Sequence, residues 1–294
     1  MKEPMRSRVM LIASMGIFGT VGIFRRYIPL PSGVIAMLRG AVGALFLLIV
    51  MLAGRQKPAR AAIRQELPRL CISGAVMGFN WILLFEAYNH TSVATATLCY
   101  YMAPIFTILA SPFVLGEKLT ARRLGCVGAA LIGMVLVSGV ADAGFGGLGE
   151  LTGVALGLGA AALYATLVLI NKRMRPLPAY DKTVTQLLSA AAVLAVYTLV
   201  TGEWSGLTVS PLTAVLLAVV CVVHTGVAYA LYFGSMEHLP AHTLALFSYL
   251  DPVLAVLLSA FLLHEPMTPA TAVGAVLILA GAMISELPAR SKKN

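Results

Sequence analysis

FGSMEHLPAHTLALFSYLDPVLAVLLSAFLLHEPMT, residues 233–268, is the stretch on which the fold turns. Residues 246–263 within it form an apolar run of bilayer length, since about 20 such residues cross ~30 Å of hydrocarbon. Asp251 and Pro252 stand in the middle of that run. Moved back by 148 residues, the segment aligns without a gap on FEAYNHTSVATATLCYYMAPIFTILASPFVLGEKLT, residues 85–120. Over 85–133 against 233–281, 14 of 49 positions are identical. Apolar sequence matches itself by composition, but this register also keeps His90/His238, Tyr101/Tyr249, Pro104/Pro252, Glu117/Glu265 and Thr120/Thr268. A weaker echo pairs RRYIPLP at 25–31 with KRMRPLP at 172–178. The sequence contains an internal repeat.

Outward from this pair, apolar runs recur along the whole chain: 9–28, 33–53, 70–88, 92–114, 121–140, 151–170, 183–201, 212–234, 241–263 and 270–287. These ten runs predict ten transmembrane helices. Composition agrees, with 59% hydrophobic and only 11% charged residues, against about 25% charged in a soluble domain. Charge placement is a separate test. If the N-terminus is cytoplasmic, 18 of the 21 Lys and Arg lie in inward-facing connections and helix ends. Arg25 and Arg26 fall on the other side, and Arg39 lies within the second run. That bias is the positive-inside signature, with both termini in the cytoplasm. It accounts for the net charge of +9 as topology. RQKPARAAIR has no aromatic interleaving, so a nucleic-acid partner is not expected. The first run lacks a small-residue cleavage site and reads as a retained helix. Cys71, Cys99, Cys126 and Cys221 stand singly in apolar runs, a pattern of buried hydrophobes rather than of a metal site or disulfide framework.

The repeat unit, 1–145 against 146–294, holds five helices. With an odd number, the second copy enters the membrane from the opposite side. Such an inverted repeat is the arrangement by which secondary transporters open a central site to each face in turn.

At this point the chain resembles a known family. GIFGTVGIFRRYIP in the first helix, LRGAVGALFLL in the second, ATLCYYMAPIFTILASPFVLGEKLT across the fourth, YLDPVLAVLLSAFLLHEPMTP and GAVLILAGAMIS carry a likeness to the drug/metabolite transporter superfamily, EamA-type branch. The doubled proline-to-glutamate motif is specific for the superfamily and silent on substrate. The resemblance implies two five-helix bundles around a central cavity. It also implies small metabolites, amino acids or drugs as cargo, often exported, and the fifth and tenth helices outermost, often at a dimer interface.

Several residues stand out against this background. Asp251 is too deep to reach either interface, and an aspartate at helix centre costs about 2.5–3.5 kcal/mol. Its repeat partner is Ala103, so the architecture does not demand a carboxylate there. The structural alternative is an ion pair with Arg39 or a hydrogen bond to a tyrosine. Arg39 lies six residues into its helix, roughly 9 Å deep. It either faces the interior as a cation or snorkels outward, and its repeat partner, near Gln186, is neutral. Pro104 and Pro252 each remove an N–H and free the carbonyl four residues earlier, at Tyr100 and Ser248. They predict kinks at equivalent depth and suggest gating. Asn80, Trp81, Tyr100, Tyr101, His224, Tyr229, Tyr232 and Tyr249 lie at comparable depth, as cavity lining or as packing. Glu117 and Glu265 precede Thr120 and Thr268, which open the next helices, and read as turn-and-cap residues. Gly16, Gly19, Gly22, Gly153 and Gly157 read as close-packing positions. Glu86 and His242 read as interface residues.

The expectation is a secondary transporter, monomeric or homodimeric, multi-pass in the cell membrane, for a small polar or amphipathic metabolite such as an amino acid. Asp251 would hold a substrate amine or the coupling proton, Arg39 a carboxylate, and the aromatic rings the apolar part. Asp251, Arg39, Asn80, Trp81, Tyr101, Tyr229, Tyr232 and Tyr249 are the binding candidates, Pro104 and Pro252 the gating ones. The alternative is a cation or multidrug exporter, with Asp251 and the aromatic rings boxing an ammonium. Enzyme motifs such as HExxH and GxSxG are missing, and nothing in the sequence calls for a cofactor or metal.

Overall fold

The computed structural model describes residues 3–116, 119–137, 148–236, 239 and 241–286. Within them, every regular element is helical: α1 (Glu3–Arg26), α2 (Ser32–Ala53), α3 (Arg60–His90), α4 (Val93–Tyr100), α5 (Ala103–Leu115), α6 (Ala121–Val137), α7 (Leu148–Arg173), α8 (Ala179–Val200), α9 (Pro211–Cys221), a π-helical turn (Val222–Val227), α10 (Ala228–Met236), α11 (Ala241–Ser248), α12 (Leu250–Leu262) and α13 (Pro269–Glu286). Taking α4 with α5, α9 with the π-turn and α10, and α11 with α12, these form ten rods among the described residues, at the places of the ten apolar runs. The boundary at 145/146 lies outside the described residues.

Seven rods among the described residues are long and apolar enough to cross a membrane, from Met5–Arg26 to Pro211–Met236. The others are short for local reasons. The ninth is divided at Tyr249, which leaves the apolar helix Leu250–Leu262, and the tenth counts as Pro269–Ser285. The fifth, of 17 residues, opens with Arg122 and Arg123. In contrast, α3 has 31 residues and starts ten before its apolar run. At that end the Ala59 N–H donates to Asp181 Oδ2 at 2.9 Å, which extends the helix into the polar zone.

The two prolines break their rods rather than merely kinking them. Tyr101 and Met102 form a turn between α4 and α5, with the Met102 N–H bonded three residues back to Cys99 O at 3.1 Å. Pro104 thus occupies the first turn of a new helix, where a missing N–H costs nothing. Tyr249 makes the corresponding break before Leu250.

Packing is set by small residues. A Cβ on Gly133 would come 2.7 Å from Gly274 O, and one on Gly274 would come 2.5 Å from Gly133 O. Reciprocal glycines therefore bring α6 and α13 into backbone contact. On α1, a Cβ at Gly19 would meet Asp251 O at 2.7 Å, and one at Gly22 would meet Val93 Cγ1 at 2.6 Å. So α1 lies tight against α12 and the start of α4.

One end of the bundle is held by a polar network. Arg26 donates to Glu265 Oε1 at 2.7 Å, and the Val93 N–H donates to Glu265 Oε2 at 2.8 Å. Ser259 also donates to that carboxylate, and Arg26 to Tyr88 O. Beside it, Arg25 reaches Ser32 Oγ at 3.0 Å, and Ser32 donates to Glu86 Oε2 at 2.8 Å. Glu203 accepts the Val34 N–H at 3.1 Å. Glu265 thus corrects its expected role: it caps α4, far along the chain, while Thr268 alone caps α13 by accepting the Thr271 N–H at 3.1 Å. Thr120 accepts the Arg123 N–H at 3.3 Å in the same way. Glu117, His238 and the side chain of His242 lie outside the described residues.

Candidate functional site

Arg39 leaves the inner face of α2 and is only 5% exposed, so it does not snorkel. Its guanidinium carbon lies 4.4 Å from the centre of the Trp81 ring and 5.6 Å from that of Phe85. These two rings share a face of α3 at i, i+4, and a cation over an aromatic face is attracted by the ring quadrupole. Arg39 Nε donates to Thr225 Oγ1 at 2.7 Å, on the π-turn. Among the described residues, no carboxylate lies within 4.0 Å of Arg39. Its two Nη nitrogens have no hydrogen-bond partner among the described residues, yet they are not among the sealed polar atoms. The fork of the guanidinium is open.

Asp251 lies in the first turn of α12, half-buried. Tyr101 donates its phenol to Asp251 Oδ2 at 2.8 Å. The expected alternative of a tyrosine hydrogen bond is therefore present, while an ion pair with Arg39 is not. Oδ1 has no partner among the described residues and is not sealed either. The repeat explains how the tyrosine gets there. Tyr101 and Tyr249 occupy equivalent breaks, and their ring centres are 6.3 Å apart.

Contacts link the two charges across one interior. Phe85 under Arg39 and Tyr88 are neighbours on α3 at i, i+3. Tyr88 Oη meets Thr97 Oγ1 at 3.4 Å, and Thr97 is one turn before Tyr101. A relay of side chains on α3 and α4 thus runs from Arg39 to Asp251. A separate apolar crevice of about 540 Å³ lies on another side of α3, lined by Ile72, Val76, Phe79, Leu83, Leu163 and Tyr197, and includes none of the candidates.

The other candidates divide. Tyr229 stacks on Phe233 with centres 5.8 Å apart and lies 5.4 Å from Phe18, adjoining the Arg39 side. Tyr232 packs with Leu11, Met15 and Leu244 and lies 5.8 Å from Phe233 between ring centres. Asn80 braces α3 to α7 by donating to Ala160 O at 2.6 Å, and its sealed Oδ1 has no partner among the described residues. Thr225, Phe85, Tyr88 and Thr97 were not singled out in the sequence and belong to the site. His224, singled out only by its depth, meets Thr20 Oγ1 at 2.9 Å and Phe24 at 4.8 Å between ring centres.

An EamA-like transporter family profile matches residues 5–139 and again 151–287, nearly the whole chain. The chain belongs to the EamA-like transporter family. It is a multi-pass protein of the cell membrane and a transporter by kinship. An uncharacterized transporter of Bacillus subtilis strain 168, YxxF, is 27% identical over 303 residues, covering 100% of this chain and 93% of the relative. Protein RarD of Escherichia coli K12 is 24% identical over 196 residues, 66% of this chain and 63% of RarD. The pseudopaline exporter CntI of Pseudomonas aeruginosa is 31% identical over 90 residues, 31% of this chain and 30% of CntI. A solved crystal structure shares the fold with a TM-score of 0.67 at 20% identity, covering 95% of this chain and 96% of that one.

Within an EamA-like transporter, the arrangement offers a buried donor fork and a half-buried acceptor oxygen, neither occupied by protein among the described residues. Arg39 provides two parallel N–H groups matched to a carboxylate. Asp251 Oδ1 provides an acceptor for an ammonium or a proton. Among the described residues, no group of three metal-ligating side chains forms.

Proposed function

We propose that this chain is a secondary active exporter of a small zwitterionic metabolite, of the amino-acid kind. It would work by alternating access between two inverted five-helix repeats, 1–145 and 146–294. The observation that carries this reading is the open pair: a 5%-exposed guanidinium without a counter-ion among the described residues and a half-satisfied carboxylate, linked to it through Phe85, Tyr88, Thr97 and Tyr101. A buried, uncompensated charge is strongly destabilising, so each is retained for a ligand of opposite sign. The substrate carboxylate lies on the Arg39 fork and its ammonium on Asp251 Oδ1, with Trp81, Tyr101, Tyr229 and Tyr249 around the apolar part. In the substrate-free stage of the cycle, Asp251 is the group that takes a proton.

Inversion is supported by direction: α4 begins where α12 ends, at Glu265, so the fourth and ninth rods run oppositely. Charge bias supports an extracellular position for the Arg26–Glu265 end, where the polar network joins α1, α4 and α12. The outward direction of transport has its support in the named exporter among the relatives.

The test is flux in proteoliposomes loaded with a panel of labelled amino acids. Arg39→Gln and Asp251→Asn each reduce transport at least about tenfold, on the scale of one lost charge-assisted bond. Flux through Asp251→Ala at the native rate, with native pH dependence, would remove Asp251 from the mechanism. A second reading, export of organic cations, draws on Tyr101 and Tyr249 beside Asp251. Under it, quaternary ammonium compounds compete with transport and Arg39→Gln has no effect.

A further inference from the structure

The π-helical turn Val222–Val227 interrupts the eighth rod where that rod meets Arg39. Its counterpart in the first repeat, residues 74–79, lies in the regular helix α3, with Met77 opposite Thr225. The turn is thus an addition to the repeated architecture, as Asp251 is. π-turns are rare and persist mostly where they serve a site.

This turn is clamped from two sides. A Cβ on Gly43, one helical turn after Arg39, would come 2.5 Å from Thr225 Cγ2, so only glycine lets α2 approach so closely. On the other side His224 bonds Thr20 of α1. Thr225 is fully buried, and its single hydroxyl proton goes to Val220 O at 3.3 Å. Its lone pair is thereby left to accept Arg39 Nε.

Arginine is long and flexible, and opposite charges in a low-dielectric interior attract strongly. Arg39, with no counter-ion among the described residues, and the half-satisfied Asp251 are linked through Phe85, Tyr88, Thr97 and Tyr101, and attract each other into closure unless something prevents it. We propose that Thr225, presented by the π-turn, is a positioning residue that holds Arg39 away from Asp251, so that both charges stay open for the substrate to bridge. This rests on the reading of Arg39 and Asp251 as the two substrate poles.

The probe is phenylglyoxal, which adds across the two Nη nitrogens of an arginine. It is applied to the full-length protein in nanodiscs, and modification is followed peptide by peptide by mass spectrometry. Exposed Arg55 serves as the internal standard. Native Arg39 reacts. In Thr225→Val, Arg39 turns to Asp251 and its modification slows at least about tenfold, the scale of a charge-assisted pair. Thr225→Ser keeps the native rate, and Thr225→Val with Asp251→Asn regains it, which a merely structural lesion would not do. Reaction of Arg39 in Thr225→Val at the native rate or faster overturns the proposal. So does slow reaction that Asp251→Asn fails to restore. If native Arg39 is inert while Arg55 reacts, the open fork itself is wrong, and the substrate reading falls with it.

Discussion

Replacing Glu265 by glutamine asks how the Arg26 end of the bundle is held shut. The carboxylate gathers donors from α1, α4 and α12: Arg26 at 2.7 Å, the Val93 N–H at 2.8 Å, and the Ser259 hydroxyl. Glutamine keeps one acceptor oxygen and sets an NH₂ donor where the other was, facing donors. A hydrogen bond to a charged group contributes about 1.5–3 kcal/mol. The Arg26 side chain is 33% exposed, so its share falls toward the ~0–1 kcal/mol of a screened pair. The charge at the α4 N-terminus adds about 0.3–1 kcal/mol. Together these give about 2 kcal/mol, or about thirtyfold in the ratio of closed to open outer ends. Pulsed EPR reads that ratio directly, with nitroxides on Tyr27→Cys and Met267→Cys, both exposed and flanking the network, after the four native cysteines are replaced. Native protein shows mainly the short separation. Glu265→Gln and Arg26→Gln raise the long one, while Lys57→Gln, in the exposed α2–α3 connection, leaves it alone. Native distance distributions in both Glu265→Gln and Arg26→Gln would refute the latch.

Two other perturbations test the frame around the site. Glu203, in the α8–α9 connection, has its pKa pushed up by burial and by the charge of Glu86, against the Val34 and Gly33 N–H groups. The folded state therefore favours the proton. Its stabilisation is full below the ordinary carboxylate pKa and is lost as pH rises through the raised value. Thermal unfolding followed from acid to neutral pH shows this decline in the native protein, and Glu203→Gln lacks it; parallel profiles would remove Glu203 as its source. Gly274→Val forces a side chain against Gly133 O and Val137. Overpacking of that kind costs about 1–3 kcal/mol, so the melting temperature drops. An unchanged melting temperature would show that α6 and α13 do not meet there.

Depth was legible in the sequence and azimuth was not. The ten runs and the equivalent positions of Pro104 and Pro252 follow from run length and register alone, whereas the choice between a buried and a snorkelling Arg39 does not. Which side chains meet does not, because a helix apolar all round has no polar stripe to mark its faces. Asn80 turns to Ala160 O rather than to either charge. Glu265 reads as a local cap because its true partner, Val93, is 172 positions away. The π-turn had no signal at all. VVHTGV holds no proline, and one inserted residue leaves no mark on apolar periodicity.

The repeat supplies a rule for separating scaffold from chemistry. Positions identical in both copies, such as Tyr101/Tyr249 and Pro104/Pro252, build the two breaks and bring their rings together. Both copies need the same breaks, so these pairs answer to geometry. Positions where the copies differ in chemical type are free of that demand. Three of them lie along one relay of contacts: Asp251 opposite Ala103, Thr225 with apolar Met77 near its counterpart position, and Arg39 with a neutral counterpart near Gln186. Each puts a charge or a hydroxyl where burial is costly, and two of the three leave polar atoms open. A fold made twice needs those groups in neither copy. On the proposed reading, the substrate lacks the two-fold symmetry of the repeat, and an asymmetric pair of charges is what a substrate with one anionic and one cationic end would require.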